Sequence, residues 1–135
     1  MRSSATSFLV LALLFLGACT KGQQPPGEVY KAFHAKVQQQ QYREAYAFLS
    51  IPTQQAIDAR VQKMKEASGG NLKAEAHEVF FANSVPPSDV TEVTVVREEG
   101  DVATLRVVSS DKSREVRMVR EATGWKIDLS ESLKP

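Results

Sequence analysis

The 135-residue chain has one cysteine, almost no net charge and no apolar run long enough to cross a bilayer. Each scarcity excludes something. With Cys19 alone, no internal disulfide forms, so stability rests on packing. Seventeen basic residues stand against 16 acidic ones. That balance argues against a nucleic-acid partner and against electrostatic adhesion to anionic lipid, both of which need a basic surface. The run Phe8 to Leu16 holds nine apolar residues, where a spanning helix needs about 20. Signatures of chemistry are scarce as well. His34 and His77 are the only histidines, far apart and without metal-ligand spacing. Gly69-Gly70 follows a helical pattern instead of opening one, so it is no phosphate loop, and no Gly-x-Ser-x-Gly elbow occurs. Glu98, Glu99 and Asp101 lack the oxygen-ligand order of a calcium loop and read as a solvated turn. No catalytic residue, metal or cofactor is therefore expected.

What is present is a processing signal. Arg2 supplies a positive start, Phe8 to Leu16 an apolar stretch, and Gly17 and Ala18 the small residues that a peptidase cleft accepts. The tetrad Leu16-Gly17-Ala18-Cys19 resembles the lipobox of bacterial lipoproteins. The resemblance implies that signal peptidase II recognises Leu16, Gly17 and Ala18, cuts before Cys19, and leaves a diacylglycerol on its thiol. Two or more acyl chains on one cysteine make a stable membrane anchor. Removing residues 1–18 leaves 117, with 16 basic and 16 acidic, enough for one domain. Thr20 to Gly27 carry two glycines and two prolines and read as a tether, which fully extended reaches at most roughly 29 Å. By analogy with other lipoproteins, Thr20 after the cysteine implies sorting to the outer membrane, facing the periplasm, in a Gram-negative cell. The expected division is signal peptide 1–18, lipidated tether 19–27, one α+β domain 28–130 and a tail 131–135.

Within the domain the apolar period changes once. Val29, Phe33 and Val37 recur at helical spacing and predict a helix from about Glu28 to Gln39, with glutamines 38 to 41 as its solvated end. Tyr42 to Leu49 predicts a second helix, broken at Ser50-Ile51-Pro52 because Pro52 disfavours helical geometry at Ile51. Ile57, Val61 and Met64 predict a third, from about Thr53 as cap to Ala67, stopped by Gly69-Gly70. Leu72 to Phe81 fits a helix or a strand end. From Asp89 onward the period is two: Val93 and Val95, then Ala103, Leu105 and Val107, then Val116 and Met118, then Trp125, Ile127 and Leu129 alternate with polar residues. Short turns at Glu99-Gly100-Asp101, Ser110 to Ser113 and Thr123-Gly124 join them into an antiparallel meander of four strands.

Three stretches carry a second likeness: Gln41-Tyr42-Arg43-Glu44-Ala45-Tyr46, Gly100-Asp101-Val102-Ala103-Thr104-Leu105 and Gly124-Trp125-Lys126-Ile127-Asp128-Leu129. Together they resemble small bacterial lipoproteins of the nuclear-transport-factor-two-like, or cystatin-like, superfamily, over most of residues 26 to 130. The resemblance implies a cone, with the curved sheet wrapped on helices that carry Phe33, Val37, Tyr46, Leu49, Ile57 and Val61. Tyr46, Leu105, Val107, Met118 and Trp125 would line it. This scaffold hosts isomerases, dehydratases and plain binding modules, so fold alone does not assign activity.

Enzymes of that superfamily place a His, Asp or Tyr on the cone wall, for which the candidates are His34, His77, Asp128, Tyr30, Tyr42 and Tyr46. Here His34 sits at the edge of the first helix's apolar face, His77 is expected to pair locally with Glu78 or Lys73, and Asp128 alternates with Ile127 and should face away from the cone. Arg106, Arg117 and Lys126, interspersed with Glu92, Glu115 and Asp128, form a mixed-charge outer sheet face that reads as solubilising. The expectation is a membrane-anchored envelope lipoprotein, a non-enzymatic binding or accessory module for a small apolar ligand or an envelope protein. The alternative is an isomerase- or dehydratase-like enzyme using the cone as active site.

Overall fold

The structure, a computed structural model, describes residues 23–84, 89–110 and 112–135. The leader, with Leu16, Gly17, Ala18 and Cys19, lies outside the described residues. Four helices precede a four-stranded antiparallel sheet: α1 Pro26–Gln38, α2 Tyr42–Tyr46, α3 Ile51–Ala67, α4 Ala76–Ala82, then β1 Val90–Glu99, β2 Val102–Ser109, β3 Lys112–Glu121 and β4 Gly124–Ile127. The strands lie in sequence order, β1-β2-β3-β4, in an open sheet.

The helices start where proline and hydroxyl chemistry put them. Proline opens α1 at Pro26, two residues ahead of the expected start, because a first-turn residue has no N–H partner to lose. The same logic corrects α3. Thr53 is not its cap; Ser50 is, its Oγ accepting from the Thr53 N–H at 3.2 Å, so Ile51-Pro52 form the first turn of the helix and not a gap before it. At its other end α3 stops at Gly69 and Gly70. The Gly70 N–H donates to Lys65 O and the Gly69 N–H to Glu66 O, a Schellman closure that requires the positive φ of 63° at Gly69. An identical closure ends α1, with the Gln41 N–H on Lys36 O and the Gln40 N–H on Val37 O, but there Gln40 occupies the φ of 57°.

The segment over residues 72–81 resolves as helix only from Ala76, where the Glu75 N–H donates to the Glu78 carboxylate at 2.8 Å. Helix α2 ends at Tyr46, short of Leu49, because the chain turns there to run beside β4. The Ile127 N–H donates to Phe48 O at 2.9 Å and the Ser50 N–H to Ile127 O at 2.8 Å. That pairing covers one edge of the sheet and leaves β1 as the other.

The core lies between the helices and one face of β2, β3 and β4. Leu49, Leu105, Met118, Val107 and Ile127 are at most 2% exposed, and Trp125 is buried beneath the Arg120 guanidinium, 4.6 Å from its ring centre. Strand β1 departs from the alternation of its neighbours. Val95 and Val96 are both 40% exposed, and irregularities in its pairing fall between Val90 and Glu92 and between Val95 and Arg97. At the chain end, a 3-10 turn over Glu131–Leu133 packs Leu133 against the core, and Arg60 donates to Leu133 O at 3.2 Å.

Candidate functional site

The aromatic side chains of the helical half gather at one end of the helix–sheet interface. Tyr30 and Phe33, one turn apart on α1, lie 5.9 Å apart between ring centres. Phe33 in turn meets Phe48 at 6.4 Å and Phe81 at 6.3 Å. Phe81, from α4, stacks on Tyr42 at 5.1 Å and meets Phe80 edge-on at 5.0 Å. These rings do not close completely on the sheet. They leave a cleft of about 200 Å³, floored by Val116 and Ile127, walled by Phe33, Phe80 and Phe81, and reached by Leu129 and Ser84.

At its rim, Arg114 Nη2 donates to the Tyr30 hydroxyl at 2.6 Å. Tyr30 is 2% exposed, whereas Arg114 is exposed. Arg114 shares the strand phase of Val116 and Met118, which places it on the core side of β3 just where burial ends. Glu115 also contributes to the rim, from the opposite phase and facing Arg106 in register. A second groove, about 380 Å³, runs on the other side of Phe80 and Ser84 between α3 and α4, past Val61, Met64 and Val79.

Beside the cleft, on the opposite phase of the chain between Ile127 and Leu129, lies a polar and closed region. Asp128 follows β4, and its side chain is 8% exposed. Its alternation with Ile127 turns it away from the core, as expected, but not into solvent, because the start of α3 covers it. Oδ1 accepts from Ser50 Oγ at 2.9 Å, Thr53 Oγ1 at 3.2 Å and the Ser130 N–H at 3.3 Å; Oδ2 accepts from Arg117 Nε at 3.0 Å. Burial pushes its pKa up, but the hydrogen bonds from Ser130, Ser50 and Thr53 outweigh it and hold the carboxyl below its ordinary value. An anion so saturated is a structural clasp between α3 and β4. Three of its bonds fall on Oδ1 and one on Oδ2.

The histidines fall outside both regions. His34 Nε2 lies 3.3 Å from Gln38 Nε2 on α1. His77 pairs with neither Glu78 nor Lys73: its Nδ1 is 3.4 Å from Glu75 Oε2, which Arg43 also approaches, and its ring lies 6.3 Å from Tyr46. Tyr46 donates to Asp58 Oδ1 at 2.9 Å. Burial, together with the hydrogen bond and charge of Asp58, raises the Tyr46 pKa far above its ordinary value, so the phenol stays protonated. This network ties α2, α3 and α4 together.

Of the residues expected to line a cone, Leu105, Val107 and Met118 are packed core, Trp125 is buried near the start of α1, and Tyr46 belongs to the polar network. The cleft is lined by a different set. Tyr30, one of the candidate acid–base residues, is in this set, whereas Phe80, Phe81 and Arg114 were not expected as site residues, although Arg114 was legible: it continues the phase of Val116 and Met118. On the mixed-charge face Arg117 pairs with Asp128 and Lys126 donates to Ala47 O at 2.9 Å, while Arg106 stands opposite Glu115 in register. Among the described residues no group of three metal-ligating side chains comes together, and no helix is long and apolar enough to cross a membrane. No protein family, curated protein or solved structure matches the chain.

Proposed function

We propose that this chain is a lipid-anchored lipoprotein of the bacterial cell envelope, acylated on Cys19. Where the cell has an outer membrane, the protein faces the periplasm from it. Its domain is a non-enzymatic module of the nuclear-transport-factor-two-like kind that holds a small apolar ligand between α1, α4 and the end of the sheet. One observation carries the binding reading: a half-open cleft of about 200 Å³ walled by Phe33, Phe80 and Phe81, with Arg114 and Tyr30 joined at its rim. Apolar concavities with a few convergent polar groups are the usual form of a small-molecule site. The lipobox-like tetrad supports the anchor.

Native mass spectrometry of the full lipidated protein, taken from its own envelope fraction, tests the binding reading. The expected result is an added small apolar mass that disappears in Leu129→Trp, a substitution that fills the cleft from its partly buried side. A ligand retained equally by that variant would place the site elsewhere. Metabolic labelling with a clickable fatty acid tests the anchor. Label is expected on the wild type and not on Cys19→Ala, and equal labelling of both would exclude Cys19.

A further inference from the structure

We propose that the cleft selects a free medium-chain carboxylic acid, its carboxylate on Arg114 and Tyr30 and its tail among the aromatic rings. This rests on the reading of the cleft as a ligand site and adds the chemistry of the head group.

Three observations point to an anion at the rim. The guanidinium carries five N–H donors and spends one on the Tyr30 oxygen. Accepting that bond leaves the phenol its own proton, so an O–H and further N–H groups can converge on one guest, a pattern that suits the two oxygens of a carboxylate. Among the described residues Arg114 makes no ion pair, a trait it shares with Arg60, Arg97 and Arg106, but of these four it alone lines the apolar cleft. Arg114 also stands where a cation does not serve the core: it is at the exposed end of the phase that buries Val116 and Met118. Arginine suits this position better than lysine, being weakly hydrated and rigidly forked.

The Tyr30 hydroxyl is pre-positioned. Its ring is 2% exposed and braced by Phe33, so little ordering is needed when a guest arrives. Glu115 lies at the same rim, on the opposite strand phase from Arg114 and opposite Arg106 in register.

Size sets the tail. A methylene needs about the space of a water molecule, roughly 30 Å³, so a cleft of about 200 Å³ takes on the order of seven carbons. That suits one short chain and encloses far less than the two long chains of a phospholipid. The walls, Phe33, Phe80, Phe81, Val116, Ile127 and Leu129, offer such a tail no hydrogen bond and no charge.

The test compares sodium octanoate with 1-octanol, which share a tail length and differ in the head. Both are titrated by calorimetry into the full chain held in lipid nanodiscs, with empty nanodiscs as the blank. Octanoate is expected to bind at least tenfold more tightly than octanol. Arg114→Gln is expected to abolish that preference by weakening octanoate at least tenfold, and Tyr30→Phe to reduce it severalfold. Equal binding of acid and alcohol by the wild type would overturn the head-group assignment and leave the apolar cleft standing. Binding of neither would overturn both. A preference for octanoate that survives Arg114→Gln would remove the carboxylate from this rim.

Discussion

Two adjoining regions, on opposite phases of the chain from Ile127 to Leu129, solve opposite problems with similar means. At the clasp, Asp128 is buried among donors from Ser50, Thr53, Ser130 and Arg117, and every bond is internal. At the cleft, Arg114 and Tyr30 share one hydrogen bond beside an open apolar volume, and donors remain. A polar group fully engaged by its own chain stabilises the fold. One partly engaged at the mouth of a cavity costs little to leave to solvent and is available to a guest. Saturation, more than polarity, separates the structural region from the binding region.

Strand β4 serves both regions, since Ile127 floors the cleft and Asp128 follows it. Trp125 anchors that strand, 4% exposed and capped by Arg120. Trp125→Ala therefore gives the largest expected effect, a loss of about 3–5 kcal/mol, most of the margin of a small domain. Urea unfolding measures it. A loss below about 1 kcal/mol would show that the strand is held elsewhere and that the two regions are independent.

Breaking the clasp alone comes next. Asp128→Asn removes the charge but keeps the shape, and is expected to cost about 2 kcal/mol, as for other hydrogen bonds to a buried ionised group. The pH dependence follows from the lowered pKa of Asp128. A carboxyl whose folded pKa lies below its unfolded value contributes stability that is present above the unfolded value and lost as pH falls through the folded one. The wild type should thus lose stability below about pH 4, and Asp128→Asn should flatten that part of the curve. Parallel acid profiles for the two proteins would mean that the clasp is not ionised.

Much of this architecture was legible and some was not, for reasons that lie in particular residues. The alternation from Val93 to Leu129 announces four strands, most clearly β2 and β3, whose alternate residues are buried, and the Schellman end of α3 announces itself through Gly69-Gly70. Ser50 as the cap of α3 was hidden because Ile51-Pro52 reads equally as a break or as a first turn. The cover over Asp128 was out of reach, since period-two reasoning gives a face and says nothing of a helix start 78 residues away. The cleft itself depends on how α4 rests against α1 and β3, and no spacing within one element reveals that.

The close of α1 offers a control remote from both the cleft and the clasp. Gln40 holds a left-handed φ of 57° that glycine adopts freely. Gln40→Gly is expected to stabilise the fold by about 1 kcal/mol, the strain a side chain meets in that conformation less the extra chain entropy of glycine. It should leave octanoate binding and the acid profile untouched. A change in either would couple the end of α1 to one of the two regions and weaken their separation.

The smallest expected effect is the sharpest. Arg114 is exposed and makes a single hydrogen bond, to Tyr30, so Arg114→Gln should change stability by no more than about 0.5 kcal/mol, as at most surface positions. Set beside Asp128→Asn, this contrast separates the two regions quantitatively, with a large cost where the polar group is saturated and almost none where it is not. Urea midpoints of the two variants, measured side by side at neutral pH, provide the comparison. Should Arg114→Gln cost as much as Asp128→Asn, the arginine–tyrosine pair would be a second clasp, and the spare donors at the cleft would belong to the fold and not to a ligand.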